Sequence, residues 1–323
     1  MTRYYVFNGD ADGLCALQQL RLESPGEATL VTGVKRDIEL LARVEAKPGD
    51  ECIVLDISLD VNRAGLTAVL AAGAKVRYFD HHHAGEVPSH PALEPHLDPS
   101  PSVCTSLLVD RSLEGRRRPW AVVGVFGDSL TDEGNALAKA AGIDATDALA
   151  LKDLGVCLNY NAYGETIEDL HVPPTVLAAE MRPFEDPREF ARGSDTYRRL
   201  RDGYQKDMEL AASLRPSSQA PGAVVFTLPD AAWARRASGT LANDLAKAHA
   251  GSAVAIVSHR TEGGYLVSLR VPKESAVSAE GFARRFPTGG GRKTAAGINH
   301  LPAPELDAFT RDFTEQFRAA QAQ

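Results

Sequence analysis

The sequence predicts an α/β protein: an N-terminal parallel-sheet domain, a smaller C-terminal α/β domain, and a cleft between them. Three observations carry this. Short apolar runs alternate with longer amphipathic ones through the first half of the chain, the rhythm of strand–helix–strand crossovers with helices on both faces of a parallel sheet. That rhythm lapses over a charged, proline-broken stretch at 173–215 and restarts after the turn-rich PSSQAPG at 216–222. The chain has 323 residues, and at roughly 150 residues per domain such a length suggests two domains.

The elements follow in order. YYVF (4–7) is a strand and LCALQQLRL (14–22) has apolar residues at helical spacing. ATLVTGV (28–34) is a strand, IELLARV (38–44) a short helix and CIVLDIS (52–58) a strand. NRAGLTAVLAAG (62–73) is a helix ending at Gly73, and KVRYFD (75–80) is the next strand. Residues 102–113 read as a helix, WAVVGVFGD (120–128) as a further strand or buried segment, and 135–158 as one long helical stretch. In the second domain AVVFTL, a helix at 237–250, SAVAIVSHR, the hairpin-like TEGG (261–264) and YLVSLRV come in turn. A helix around 278–285, the loop FPTGGGRKTAAG (286–297) and a helix at 304–320 complete it. The domain reading is therefore 1–165 for the first domain, 166–221 for a helical connector and linker, and 222–323 for the second domain.

Composition narrows the function classes. Hydrophobic residues are 44% and charged residues 24% of the chain, as in ordinary globular proteins. The net charge of −8 argues against a broad polymer-binding surface, which would be basic, though not against a local basic groove. No apolar run approaches the roughly 18 residues of a membrane span, and the start, MTRYYVFNGDADG, has no signal-peptide core. Cys15, Cys52, Cys104 and Cys157 are scattered without a CxxC pair and read as reduced, buried thiols of a cytoplasmic protein.

The informative residues are carboxylates. Four apolar runs read as strands each end in an aspartate: Asp10 with Asp12 two residues on, then Asp56, Asp80 and Asp128. In an open parallel sheet, ligands bind beyond the carboxyl ends of the strands. Carboxylates gathered there repel one another, and divalent cations are the usual relief. Three histidines, His81, His82 and His83, follow Asp80 and add nitrogen donors suited to manganese, magnesium, iron or zinc. A single aspartate at a strand end is commonly a turn or helix cap; the ordered set is what points to chemistry.

This ordered set resembles the DHH phosphoesterases with their C-terminal DHH-associated domain, the family of nanoRNases, phosphoadenosine-phosphate phosphatases and RecJ-like nucleases. Asn8–Gly13 (NGDADG) is similar to the first motif, Asp56 to the second, Asp80-His81-His82 to the third and Asp128 to the fourth. Gly289-Gly290-Gly291-Arg292-Lys293 is similar to the glycine-rich substrate motif, and Arg270 to the arginine that precedes it. Two positions depart from the family pattern: Val6 and Arg292 stand where histidines are usual.

The resemblance implies two divalent ions, manganese before magnesium. Asp10 would bind the first and Asp12, His81 and Asp128 the second, with Asp56 bridging both. It implies Asp56 and His82 as catalytic residues, His82 contacting the phosphate or protonating the leaving oxygen, and Asp80 orienting the histidines. Arg270, Gly289, Gly290, Gly291, Arg292 and Lys293 would bind substrate, the backbone N–H groups and the guanidinium fork gripping a phosphate.

The implied function is metal-dependent hydrolysis of phosphodiester or phosphomonoester bonds. The substrate would be a short single-stranded oligonucleotide or small nucleotide, with no membrane partner and with a homodimer left open. A polyphosphatase or pyrophosphatase, and a non-catalytic binding protein of the same fold, are the alternatives.

Overall fold

The computed structural model describes residues 1–321, with side chains described as far as Arg318. The chain divides into two compact units, Met1–Gly203 and Tyr204–Gln323.

The first unit opens with β1 (Arg3–Asn8), α1 (Ala11–Glu23), β2 (Thr29–Gly33), β3 (Glu51–Leu55), α2 (Arg63–Ala71), β4 (Lys75–Asp80) and β5 (Leu93–Leu97). The strands form one sheet in the order β2-β1-β3-β4-β5, parallel throughout. Strand residues alternate between two buried faces, so the run reads as continuously apolar. Val6, Cys52, Val54, Val76 and Tyr78 pack with Leu66, Val69 and Leu70 of α2. α1 is buried from Ala11 to Leu20 and contacts β1 and β3.

Helices follow: α3 (Thr105–Ser112), α4 (Arg118–Gly127), α5 (Thr131–Ala140), α6 (Ala145–Asn161), α7 (Pro174–Met181), α8 (Pro187–Gly193) and α9 (Asp195–Ala212). The division between units falls within α9. Residues 120–128, read from sequence as a strand or buried segment, are most of the helix α4 and its cap. Trp120 to Phe126 are all buried, and α4 contacts α1, α3, α5 and α6. A helix enclosed on every side carries no amphipathic period, so its apolar run is indistinguishable from that of a buried strand. Glycines allow the crowding: a Cβ on Gly127 would lie 2.3 Å from the Ala11 Cβ, and one on Gly155 of α6 would lie 2.4 Å from the Val123 carbonyl. The stretch 135–158 is parted between α5 and α6. The 38–44 helix is reduced to a 3-10 turn at Leu41–Arg43, and β5 went unread in the sequence.

The second unit contains β6 (Ser218–Ala220), β7 (Ala223–Thr227), α10 (Ala232–Ala248), β8 (Ala253–His259), β9 (Tyr265–Arg270), α11 (Ala279–Ala283), β10 (Gly289–Gly291), β11 (Ala295–Leu301) and α12 (Leu306–Gln321). Its sheet order is β10-β11-β9-β8-β7-β6, with β7 and β8 parallel and the other neighbours antiparallel. One face packs Val225, Ala255, Leu269 and Ile298 against Phe282 of α11 and Phe309, Phe313 and Phe317 of α12. The other packs Val224, Phe226 and Ile256 against Ala234, Ala237 and Leu241 of α10.

The turn-rich stretch 216–222 is not an open linker. Ser218–Ala220 is an edge strand, and Pro221-Gly222 turns the chain directly into β7. Gly222 takes φ +81°, the conformation a tight turn asks of glycine. The same residues that signal a linker also build a hairpin. Among the described residues no helix is long and apolar enough to cross a membrane.

Candidate metal centre

At the carboxyl edge of the first sheet the loops after β1, β3 and β4 meet the start of α3 and the end of α4. Asp10 caps α1, its Oδ1 accepting the Gly13 N–H at 3.1 Å. Gly13 is required there, because a Cβ would stand 2.1 Å from the Asn8 carbonyl oxygen. Asp12, on the first turn of α1, is buried. Its Oδ2 accepts the Thr105 N–H at 2.6 Å and its Oδ1 the Ser106 N–H at 2.7 Å. The Cys104 side chain does not cap α3, so Asp12 satisfies the orphan donors of that helix from elsewhere in the chain.

Asp56 directly follows β3. Its backbone takes φ +59°, a left-handed conformation that costs about 1–3 kcal/mol for a non-glycine residue and is held only where surroundings over-determine it. Two contacts do so: the Asp56 N–H donates to the Phe79 carbonyl at 3.0 Å, and the Thr105 hydroxyl donates to Asp56 Oδ1 at 3.1 Å. His81 Nε2 lies 3.4 Å from Asp56 Oδ1 and 3.9 Å from Asp128 Oδ2. Asp128 caps the C-terminus of α4, not a strand, and Ser129 after it takes φ +67°. His82 Nδ1 sits 2.7 Å from Asp80 Oδ1. In the neutral ring that contact places the proton on Nδ1 and leaves the Nε2 lone pair free.

Electrostatics mark the centre as short of positive charge. Burial pushes the Asp56 carboxyl well above the usual carboxylate range, and Asp10 and Asp12 push it further. Burial and Asp12 push Asp128 up to about 7. Asp10 moves the other way: burial raises it, but Lys35 more than offsets this and holds it below the ordinary value. Burial lowers His82, and the Asp80 contact outweighs that and raises it. Among the described residues, Asp56, His81 and His82 offer donor atoms within 4.8 Å of one another. A buried carboxylate that is costly to ionise beside two imidazoles is a donor set that fits a divalent transition-metal ion. Asp80 Oδ2, buried and without a hydrogen-bond partner, adds to the unsatisfied negative potential.

The structure thus brings Asp56, His81 and His82 together, with Asp128 beside His81. Asp10 and Asp12 lie at the start of α1 with their carboxylate oxygens already engaged. Val6 is a wholly buried core residue of β1 and faces no site; Asn8, at the strand end, accepts the Asp10 N–H at 3.3 Å. His96 stacks on Phe79 with ring centroids 4.2 Å apart, and Tyr160 is buried with its hydroxyl 3.0 Å from His171 Nε2; both are packing residues. Sequence reading missed Lys35, Thr105, Ser106 and Asn159. Lys35 pairs with Asp10 and donates to Asn159 Oδ1 at 3.0 Å. Burial lowers the Lys35 ammonium, and Asp10 and Tyr163 more than restore it.

The anion-loop residues belong to the second unit. Arg270 on β9 pairs in register with Ala295 of β11 and donates to Asn243 Oδ1 at 3.1 Å. The three glycines form β10 on the outer edge of the sheet. Gly289 and Gly291 are demanded by packing: a Cβ would stand 1.8 Å from the Ala283 carbonyl at one and 2.4 Å from the Ala296 Cα at the other, where φ is +147°. Gly290 has open space where a Cβ would go. Arg292 and Lys293 are exposed.

No family model and no curated protein matches the chain. Solved structures do. RecJ from Thermus thermophilus, in complex with Mn2+, superposes with a TM-score of 0.62 over 99% of this chain at 19% identity. The chain shares the RecJ fold. It spans about half of that enzyme, 52%. A second RecJ exonuclease, bound to manganese, gives 0.59 at 20% identity, covering 99% of this chain and 90% of its own. An exopolyphosphatase-related protein from Bacteroides fragilis gives 0.50 at 15% identity, over 100% and 94%. The RecJ likeness covers both units.

Proposed function

We propose that the chain is a divalent-metal-dependent phosphohydrolase acting on the phosphodiester or phosphomonoester bonds of short oligonucleotides or small nucleotides, with manganese as its preferred ion. The observation that carries this is the convergence of Asp56, His81 and His82 within 4.8 Å, at the sheet edge where open parallel sheets bind ligands. The manganese bound to both RecJ structures supports it.

Asp56, His81 and Asp128 would hold the ion. When bound, a divalent ion supplies Lewis-acid stabilisation of phosphoryl charge and makes water a better nucleophile. Thr105 orients Asp56 through its hydroxyl. Asp80 fixes the ring of His82, so that Nε2, when protonated, donates to a phosphate oxygen or gives its proton to the leaving oxygen. Arg270, Arg292, Lys293 and the open backbone at Gly290 supply anion contacts in the second unit.

A second reading, hydrolysis of polyphosphate, is favoured by the Bacteroides fragilis neighbour, which covers nearly all of both chains. The test is a hydrolysis panel with Mn2+ of dinucleotides, phosphoadenosine phosphate, cyclic dinucleotides, single-stranded DNA and polyphosphate. Wild type is compared with Asp56→Asn and His81→Ala. Turnover of a nucleotide substrate that both variants abolish, with unchanged circular dichroism, is expected. Turnover of polyphosphate alone moves the assignment to the second reading, and no turnover of any substrate, or full activity in Asp56→Asn, overturns the first.

A further inference from the structure

We propose that Lys35 is a built-in cation that stands in for one of two metal ions, so that the centre holds a single divalent ion. The inference rests on the metal-dependent reading above and on the side chains around Asp10 and Asp12.

Both carboxylate oxygens of Asp10 are engaged, Oδ1 by the Gly13 N–H at 3.1 Å and Oδ2 by the Lys35 ammonium. Lys35 is held there on several sides. Its backbone N–H donates to the Ala162 carbonyl at 2.9 Å, its ammonium donates to Asn159 Oδ1 at 3.0 Å, and that ammonium also lies 5.4 Å from the Tyr163 ring centroid. An ammonium has three N–H donors and no acceptor; two of them go to oxygens of Asp10 and Asn159, and the Tyr163 ring face lies against the charge. Both oxygens of Asp12 are likewise engaged, by the N–H groups of Thr105 and Ser106.

A second ion bound by Asp10 would therefore have to displace the Lys35 ammonium or sit directly against its charge. The donors that remain, Asp56, His81 and Asp128, suffice for one ion with water completing its shell.

The experiment counts bound Mn2+ by equilibrium titration and by electron paramagnetic resonance, on the full chain without substrate. Wild type should bind one ion and give an isolated six-line spectrum. Asp10→Asn should leave the stoichiometry at one, whereas Asp56→Asn should weaken binding by at least about tenfold, the scale seen when a ligand loses even its supporting partner. Lys35→Met should free Asp10 and admit a second ion, with a spin-coupled spectrum, while Lys35→Arg keeps the charge and stays at one. Two ions in wild type, or loss of the bound ion in Asp10→Asn, overturns the role of Lys35 and leaves metal-dependent hydrolysis intact. No bound ion in wild type overturns both, and circular dichroism of each variant separates loss of a site from loss of the fold.

Discussion

Asp12 Oδ2 accepts the Thr105 N–H at 2.6 Å across a separation of 93 residues. One carboxylate thereby ties the first helix of the chain to the N-terminus of the helix that also orients Asp56. Asp12→Asn replaces one accepting oxygen by an amide that cannot accept. It should cost roughly 1.5–3 kcal/mol, the scale of a hydrogen bond to a charged group, less what is regained as repulsion on Asp56 eases. Urea unfolding of the metal-free protein measures it; an unchanged midpoint would show that Asp12 does not hold α3.

The crossing of α4 and α6 sets where Asp128 emerges. A Cβ at Gly155 would meet the backbone at the Val123 carbonyl, 2.4 Å away, and at the Gly127 nitrogen, 2.9 Å away. Alanine is the better helix former by about 1 kcal/mol, but overpacking against backbone costs about 1–3 kcal/mol. Gly155→Ala should therefore lower stability despite the helix preference, and a stabilised variant would contradict the packing.

Cysteine chemistry tests the core. All four thiols are buried, and burial pushes Cys52 and Cys157 up to about 12 from an ordinary 9.0. Cys15 and Cys104 lie well above that ordinary value for the same reason. Because the thiolate is the reactive form, a disulfide reagent at pH 8 should label none of them in the native protein and all of them after unfolding. The folded values are the raised ones. The stabilisation from these protonated thiols is therefore complete below pH 9 and is lost as pH climbs from 9 towards 12. Rapid native labelling at pH 8 would place a thiol at the surface.

The glycine strand separates packing from binding. Gly289→Ala should destabilise the second unit, since its Cβ would meet a carbonyl at 1.8 Å. Gly290→Ala meets nothing within 4 Å and should leave the unfolding midpoint unchanged. If the strand grips phosphate, Gly290→Ala lowers kcat/KM nonetheless. Arg292 is exposed at the end of β10, and its backbone N–H donates to the Ala295 carbonyl at 2.7 Å. Arg292→Ala should reduce kcat/KM about ten- to a hundredfold, and lysine should recover only part, because a point charge lacks the planar fork. Values within about twofold of wild type in both Gly290→Ala and Arg292→Ala would remove the loop from substrate binding.

The parallel sheet was legible because each of its strands is a short apolar run closed by a turn signal, and β5, with Pro95 and His96 in its interior, was the one that escaped. The α4 segment misled for the opposite reason, since a helix buried on every face loses its period. Asp56 and the histidines after Asp80 could be named because each directly follows a strand whose direction the sheet fixes. By itself, then, the sequence determined the class of fold, four of the five parallel strands and the aspartates and histidines that follow them, all of which come from local pattern and chain direction. Only the tertiary structure decided what those residues touch. It put Lys35 on Asp10 and Asn159 across separations of 25 and 124 residues. It spent Asp12 on the α3 terminus, moved Asp128 from a strand end to a helix cap, and turned Gly289 and Gly291 into packing necessities. Hydrogen bonds and close approaches between distant segments leave no periodicity in the chain, so they exist for a reader only once the chain has folded.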